Sequence, residues 1–248
     1  MVLFLFGTFT SPSFAQWVNV PTGTTGAYES AFFFDTQNGL VSSSSKVLKT
    51  SDAGASWTAI SVSGIRDLDF ASTTLGYAAG YAGSSLKKTT DGGNTWTPLT
   101  PPTSNALWGV SVLDANTLYV SGTGKVVWKS TNGGSSFSVV NLPSGPSDLA
   151  VDLDFVSATT GCVLGQYGGV WRTTNGGTTW TNTYPSANIE YVSMCFVDAM
   201  TGFLVGEAGT ILKTMNGGGK LVPACFGQYR KAAIRAFSGS EQWYCSGL

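Results

Sequence analysis

Hydrophobic residues fall along this chain in short alternating runs, and no stretch of the central array sustains the spacing of an amphipathic helix. Leu68-Asp69-Phe70, Val110-Ser111-Val112, Leu153-Asp154-Phe155 and Met194-Cys195-Phe196 each read as a strand with alternate side chains on opposite faces. Phe32-Phe33-Phe34 is taken as the matching run of a first unit. A turn follows each run, and then a pair that opens a second strand: Gly39-Leu40, Gly76-Tyr77, Leu118-Tyr119, Gly161-Cys162 and Gly202-Phe203. Tight Gly-x-x-Gly bends at Gly80–Gly83, Gly165–Gly168 and Gly206–Gly209 lead into a third strand, and a polar turn leads into a fourth. Four short strands recurring about every forty residues predict one small antiparallel sheet per repeat, the pattern of a propeller blade.

The polar turn between the third and fourth strands is the most repetitive word in the chain. It reads KTSDAGASW at Lys49–Trp57, KKTTDGGNTW at Lys87–Trp96, KSTNGGSSF at Lys129–Phe137, RTTNGGTTW at Arg172–Trp180 and, degraded, KTMNGGG at Lys213–Gly219. Its acidic or amide position falls at Asp52, Asp91, Asn132, Asn175 and Asn216, at spacings of 39, 41, 43 and 41 residues. Asp and Asn oxygens accept backbone N–H groups a few residues on and so close a turn locally. Gly54, Gly93, Gly134 and Gly177 supply the positive φ that such a turn needs. Trp57, Trp96, Phe137 and Trp180 then fold back over it as a buried anchor. A carboxylate committed to backbone N–H groups is not available to move protons, so these acids read as structural.

These words resemble the Asp-box, or BNR repeat, of pattern Ser/Thr-x-Asp-x-Gly-x-x-Trp. Thr50–Trp57 and Thr89–Trp96 fit it fully, while Ser130–Phe137 and Thr173–Trp180 carry Asn for Asp and the former Phe for Trp. The resemblance implies a β-propeller with the boxes between third and fourth strands at the outer rim. The expected fold is therefore all-β, a propeller of about five four-stranded antiparallel blades, either a closed ring or an incomplete arc. The cadence LDFASTTLGYAAGYAGSSLKKTTDGGNTW is similar to the photosystem II assembly and stability factor family, with the likeness covering Ala31–Gly219. That resemblance implies a non-catalytic scaffold that binds a protein partner. The alternative is a glycan-binding or degenerate glycosidase propeller of sialidase-like type. Sialidases need an arginine triad, and the four arginines here (Arg66, Arg172, Arg230, Arg235) are placed so that none can be built. Xyloglucan-type glycosidases need two propellers with a cleft between them, against one array here.

Composition sharpens this picture in a few places. Charged residues make up 11% of the 248, the net charge is −1, and no basic stripe marks a nucleic-acid surface. The chain has no His, which removes the usual general base and the commonest zinc ligand, and no Cys pair has C-x-x-C spacing. Neither a cofactor nor a metal is expected. Residues 1–15 end in Ser13-Phe14-Ala15 after an apolar run, as in a signal peptide lacking its basic start, with a buried N-terminal strand as the alternative. With plentiful Gly, Ser and Thr this points to a secreted or periplasmic protein, without a membrane span. Cys162 and Cys195 read as buried thiols, and Cys225 and Cys245 as able to pair.

The domain reading is 1–15 signal peptide, 16–221 propeller and 222–248 a divergent tail. The tail is either an appended interaction segment or an aberrant end, and Gln228–Phe237 suits a short helix. Trp17–Val20 resembles a fourth strand without its first three, and is expected to pair beside Thr210–Lys213 and close the ring. The candidate binding face comprises the loops from fourth strand to next first strand (Ser61–Arg66, Thr100–Leu107, Pro143–Leu149, Pro185–Glu190) and the Gly-x-x-Gly bends. Its residues are Arg66, Tyr81, Trp108, Gln166, Tyr167, Glu190, Tyr191 and Glu207, with Trp108 and Tyr191 also suited to packing between blades. Asp67, Asp69, Asp152 and Asp154 form two matched pairs, read as lining a central channel, either as a solvated wall, or holding a cation, or acting as paired carboxylates.

Overall fold

Among the described residues, twenty strands in five antiparallel sheets follow the repeat read from the sequence. In this computed structural model the described residues are 22–223, apart from 24–26, 82–85, 146–148, 185–188 and 208–209. Blade 1 holds β1 (Tyr28–Phe33), β2 (Gly39–Ser43), β3 (Lys46–Thr50) and β4 (Thr58–Ser61). Blade 2 holds β5 (Ile65–Phe70), β6 (Gly76–Gly80), β7 (Leu86–Thr89) and β8 (Thr97–Pro98). Blade 3 runs β9 (Leu107–Val112), β10 (Leu118–Gly122), β11 (Val126–Ser130) and β12 (Ser138–Asn141). Blade 4 runs β13 (Ala150–Phe155), β14 (Gly161–Gly165), β15 (Val170–Thr173) and β16 (Thr181–Thr183). Blade 5 runs β17 (Tyr191–Phe196), β18 (Gly202–Gly206), β19 (Ile211–Thr214) and β20 (Val222–Pro223). Each sheet is a simple meander in chain order. The fold is thus a β-propeller of five blades, and among the described residues no helix is long and apolar enough to cross a membrane.

The first strand of each blade packs beside that of the next, in the order β1, β5, β9, β13, β17. The hydrophobic core lies between sheets rather than inside one. Tyr77 of blade 2 packs with Leu107, Val110 and Leu118 of blade 3, and Tyr119 of blade 3 stacks on Phe155 of blade 4 with ring centroids 3.6 Å apart. A blade cannot bury both faces alone, so stability comes from neighbours. Among the described residues no packing of comparable extent returns from β17 to β1.

Three expectations are adjusted. The first-blade run is shifted by one residue: Phe33, not Phe34, lies opposite Gly39 as Phe70 lies opposite Gly76. The box rings are half-buried rather than fully buried, since each caps a turn at the rim. The edge of β19 is occupied by β20, with Leu212 opposite Pro223 and Lys213 opposite Val222, so it is not open to Trp17–Val20. That segment itself, residues 1–15, Cys225, Cys245 and Gln228–Phe237 lie outside the described residues. Cys162 and Cys195 are buried thiols outside any disulfide. Burial pushes the Cys162 thiol up to about 12, helped by the nearby Asp154 charge, which keeps it protonated and unreactive.

Candidate functional site

The two ends of the blades differ in chemistry, and the box end is the more repetitive of the two. In each box a hydroxyl sits at the centre of the turn. Thr50 Oγ1 donates to Asp52 Oδ1 at 2.8 Å and accepts the buried Gly54 N–H at 2.8 Å. Thr89, Ser130, Thr173 and Thr214 repeat that second bond to Gly93, Gly134, Gly177 and Gly218 at 2.8–2.9 Å. Asp52 also takes the Ser56 N–H at 2.9 Å and the Ser56 hydroxyl at 2.6 Å. These donors hold Asp52 at about 2, the Ser56 hydroxyl contributing most, and Thr95 does the same for Asp91. In the Asn boxes the direction reverses, with Asn132 Nδ2 donating to Ser136 Oγ and Asn175 Nδ2 to Thr179 Oγ1, both at 2.8 Å. Asn216 accepts the Lys220 N–H at 2.8 Å. An acid held ionised near 2 by neutral donors cannot act as a proton donor near neutral pH.

Boxes also lock neighbouring elements. The residue after the Asp or Asn gives its N–H to the turn between first and second strands, as Ala53 does to Gln37 O at 2.9 Å and Gly92 to Thr74 O at 2.8 Å. Its carbonyl faces the preceding blade: Lys49 Nζ reaches Gly92 O at 3.0 Å, and Tyr77 OH reaches Gly133 O at 3.1 Å. Tyr119 OH and Lys129 Nζ converge on Gly176 O at 3.3 and 3.4 Å, and Cys162 Sγ lies 3.8 Å from Gly217 O.

The aspartate pairs on the inner strands belong to the same framework, and the channel-wall reading is corrected. Asp67 Oδ2 accepts the Val110 N–H at 2.8 Å, and Asp69 Oδ2 the Val112 N–H at 2.6 Å, both from blade 3. Asp152 Oδ2 accepts the Met194 N–H at 2.9 Å, and Asp154 Oδ2 the Phe196 N–H at 2.7 Å, both from blade 5. Asp67 and Asp152 are 4% and 3% exposed, and each also accepts a serine hydroxyl, from Ser30 and Ser193, at 3.0 Å. The buried charges are matched by N–H donors across a joint. Gly109 leaves room for one of them: a Cβ there would sit 3.3 Å from Asp152 Oδ1.

The opposite end carries the candidate face, in two clusters. Over blades 1–3, the Arg66 guanidinium lies 3.9 Å from the centroid of the Trp108 ring, a stacked cation–π geometry. Trp108 Nε1 points to Thr123 Oγ1 at 3.5 Å, and Tyr81 OH donates to Glu29 Oε1 at 3.0 Å. Partial burial raises the Tyr81 phenol above its ordinary value, reinforced by Glu29 and opposed by Arg66. Over blades 4 and 5, Gln166 Nε2 donates to Glu190 Oε1 at 2.8 Å and the Glu207 N–H donates to Glu190 O at 2.9 Å. Tyr167 stands 51% exposed beside them on the tight bend closed by Gly168, whose φ is +93°.

Seven of the eight predicted face residues are exposed or half-buried at this end. Tyr191 is not: it is 1% exposed, packed in the core of blades 4 and 5 with its hydroxyl buried. It starts an inner strand where Ile65, Leu107 and Ala150 also point inward. Glu29 and Thr123 join the face without having been singled out. Glu29 occupies the register position of Arg66 and Trp108, so a correct alignment of the first blade would have found it.

Comparison with known proteins agrees with this geometry. A family model described as photosynthesis system II assembly factor YCF48 matches residues 59–187, slightly more than half of the 248-residue chain. Among curated proteins no sequence matches. The structure of YCF48 from Cyanidioschyzon merolae aligns with TM-score 0.57 and 18% identity, covering 71% of this chain and 66% of that one. A GH74 enzyme from Niastella koreensis aligns with TM-score 0.60 and 18% identity, covering 79% of this chain and 38% of that one. U3-55K aligns with TM-score 0.66 and 10% identity, covering 78% and 62%. The chain therefore spans about two thirds of the YCF48 structure and little more than a third of the GH74 enzyme. Likeness at these identities is a likeness of fold.

Proposed function

The chain belongs to the photosynthesis system II assembly factor YCF48 family, and from that premise we propose that it is a non-catalytic, exported scaffold that binds a protein partner. Binding takes place on the end of the blades opposite the boxes, through Arg66, Trp108, Tyr81 and Tyr167. The observation that carries this reading is the Arg66–Trp108 stack at 3.9 Å. A guanidinium held flat on an indole offers its edge donors to a carboxylate or backbone carbonyl while the ring buries apolar area, the pairing enriched at binding hot spots. Glu190 and Glu207 give the far side of the face the opposite sign, which favours a partner with complementary charges. Family membership supports a protein rather than a glycan as that partner. Export rests on the sequence of residues 1–15 and on the composition.

A glycosidase reading needs two carboxyls free to act on a glycosidic bond. Asp67, Asp69, Asp152 and Asp154 are bonded to N–H groups of a neighbouring blade, and Asp52 and Asp91 are held ionised in their turns. Screening the full chain against a peptide display library and a glycan array tests the choice. The expected result is peptide binding that weakens at least about tenfold in Trp108→Ala and Arg66→Ala. Glycan binding without peptide binding, or hydrolysis of xyloglucan that falls in Asp69→Asn, overturns it.

A further inference from the structure

Four of the five boxes place an aromatic ring in the slot after the turn, and the fifth does not. The turn itself is intact in blade 5. Thr214 Oγ1 accepts the Gly218 N–H at 2.8 Å, and Asn216 Oδ1 accepts the Lys220 N–H at 2.8 Å, as Asp91 Oδ1 accepts that of Thr95. The next residue, Trp96 in blade 2, is therefore Leu221 in blade 5. Leu221 is half-buried against the core of blades 4 and 5, just as Trp96 and Trp180 lie against the cores of their own joints.

The indoles that fill the slot elsewhere make the same two contacts. Trp96 and Trp180 stand edge-on to Phe70 and Phe155, with centroids 6.0 and 6.2 Å apart. Each also donates its Nε1–H to a box carbonyl, Gly93 O or Gly177 O, at 3.1 Å. Phe196 holds the register position of Phe70 and Phe155, opposite Gly202 as they are opposite Gly76 and Gly161. Among the described residues no donor reaches Gly218 O, the counterpart of those two carbonyls. A Cβ on Gly93, Gly134 or Gly177 would lie 3.4–3.9 Å from the ring of its own box. One on Gly218 would instead meet Cys162 Sγ at 3.3 Å, Phe196 Cζ at 3.7 Å and Arg172 Cδ at 3.9 Å.

At this slot lies an apolar cavity of about 220 Å³, counted out to the solvent at its mouth, lined by Val170, Met194, Phe196, Leu204, Gly218 and Leu221 among others. With the Leu221 side chain inward, its enclosed part holds no more than a water molecule, and an apolar void of that kind forfeits dispersion contacts along its walls. A ring enters as Leu221 turns aside.

We propose that the fifth box is a receptor for the indole of a partner protein's tryptophan. The ring lies edge-on to Phe196 and donates its N–H to Gly218 O, as Trp96 and Trp180 do within their own blades. Those two boxes set the chemistry of the occupant, an aromatic ring with one N–H donor. The site is at the rim on the box end, so it stands or falls separately from the Arg66–Trp108 face.

Titrating the isotope-labelled full chain with N-acetyltryptophanamide, followed through its amide chemical shifts, tests this. Saturable shifts are expected at Phe196, Gly218 and Leu221. Leu221→Ala enlarges the cavity and should tighten binding about tenfold. Leu221→Trp supplies the ring from within and should abolish it. The probe methylated on its indole nitrogen should bind about threefold more weakly, having lost the bond to Gly218 O. A thermal melt verifies that each variant is folded. The proposal is overturned if the wild type shows no saturable shift at those amides, or if Leu221→Ala binds no tighter. Leu221→Trp binding as well as the wild type, or a methylated probe binding equally, overturns it too.

Discussion

The box end of the molecule and the end opposite it are built from the same twenty strands by different rules. At the box end one set of bonds repeats in blade after blade: hydroxyl to glycine N–H, Asp or Asn to the fourth residue on, and box carbonyl to the preceding blade. At the other end one register position holds Glu29, Arg66, Trp108, Val151 and Val192, four residue types in five blades. Repetition marks where the fold needs the residue, because every blade faces the same turn. Variation marks where the backbone is already fixed and the side chain is available for recognition.

Substitutions can break that contrast, and the largest effect belongs to the joints. Asp67→Ala removes the acceptor of the buried Val110 N–H and of Ser30 Oγ, and should cost about 3 kcal/mol in urea unfolding. A loss below about 0.5 kcal/mol, the range of neutral surface changes, would return Asp67 to the role of solvated wall. Thr89→Val keeps the shape of the box but orphans the buried Gly93 N–H, for an expected cost of about 1–2 kcal/mol.

Acid sharpens the contrast between box types. A carboxyl held below its ordinary value of 3.8 stabilises the fold only while ionised, so the contribution of Asp52 and Asp91 is complete above that value and is lost as pH falls through about 2. Asp52→Asn with Asp91→Asn should flatten the stability profile between those limits, because the amide can donate to Ser56 and Thr95 as Asn132 donates to Ser136. Acid titration of the thermal midpoint reads this directly, and an unchanged slope would mean that other carboxylates govern it.

Smaller effects close the series. Ala53, with φ +59°, takes the place that glycine fills in the other four boxes, so Ala53→Gly should stabilise by about 0.5 kcal/mol in the same urea assay. Tyr167→Ala, at the recognition end, should shift stability by less than about 0.5 kcal/mol while weakening peptide binding. A destabilisation equal to that of Thr89→Val would place Tyr167 in the framework instead.

The legibility of each feature follows the sequence distance over which its bonds form. A box closes within four residues, from Thr50 to Gly54 and Asp52 to Ser56, so its turn, its glycines and the strands on either side could be read directly. Asp67 and Asp69 were legible as a pair on one side of a strand, but their acceptors' partners lie 43 residues away on the next blade. Tyr191 and Trp108 are both aromatics at the start of an inner strand; one is 1% exposed and the other lies under Arg66, one register position apart.

The sequence by itself determined that the chain repeats, how many short strands each repeat holds, and which polar groups close its turns, because local hydrogen bonds and alternation need no distant partner. The tertiary structure decided which carboxylates fasten one blade to the next and which side chains reach the free face. Those outcomes depend on how separate sheets pack, and the energy of a contact between residues some forty positions apart is not written in the neighbourhood of either.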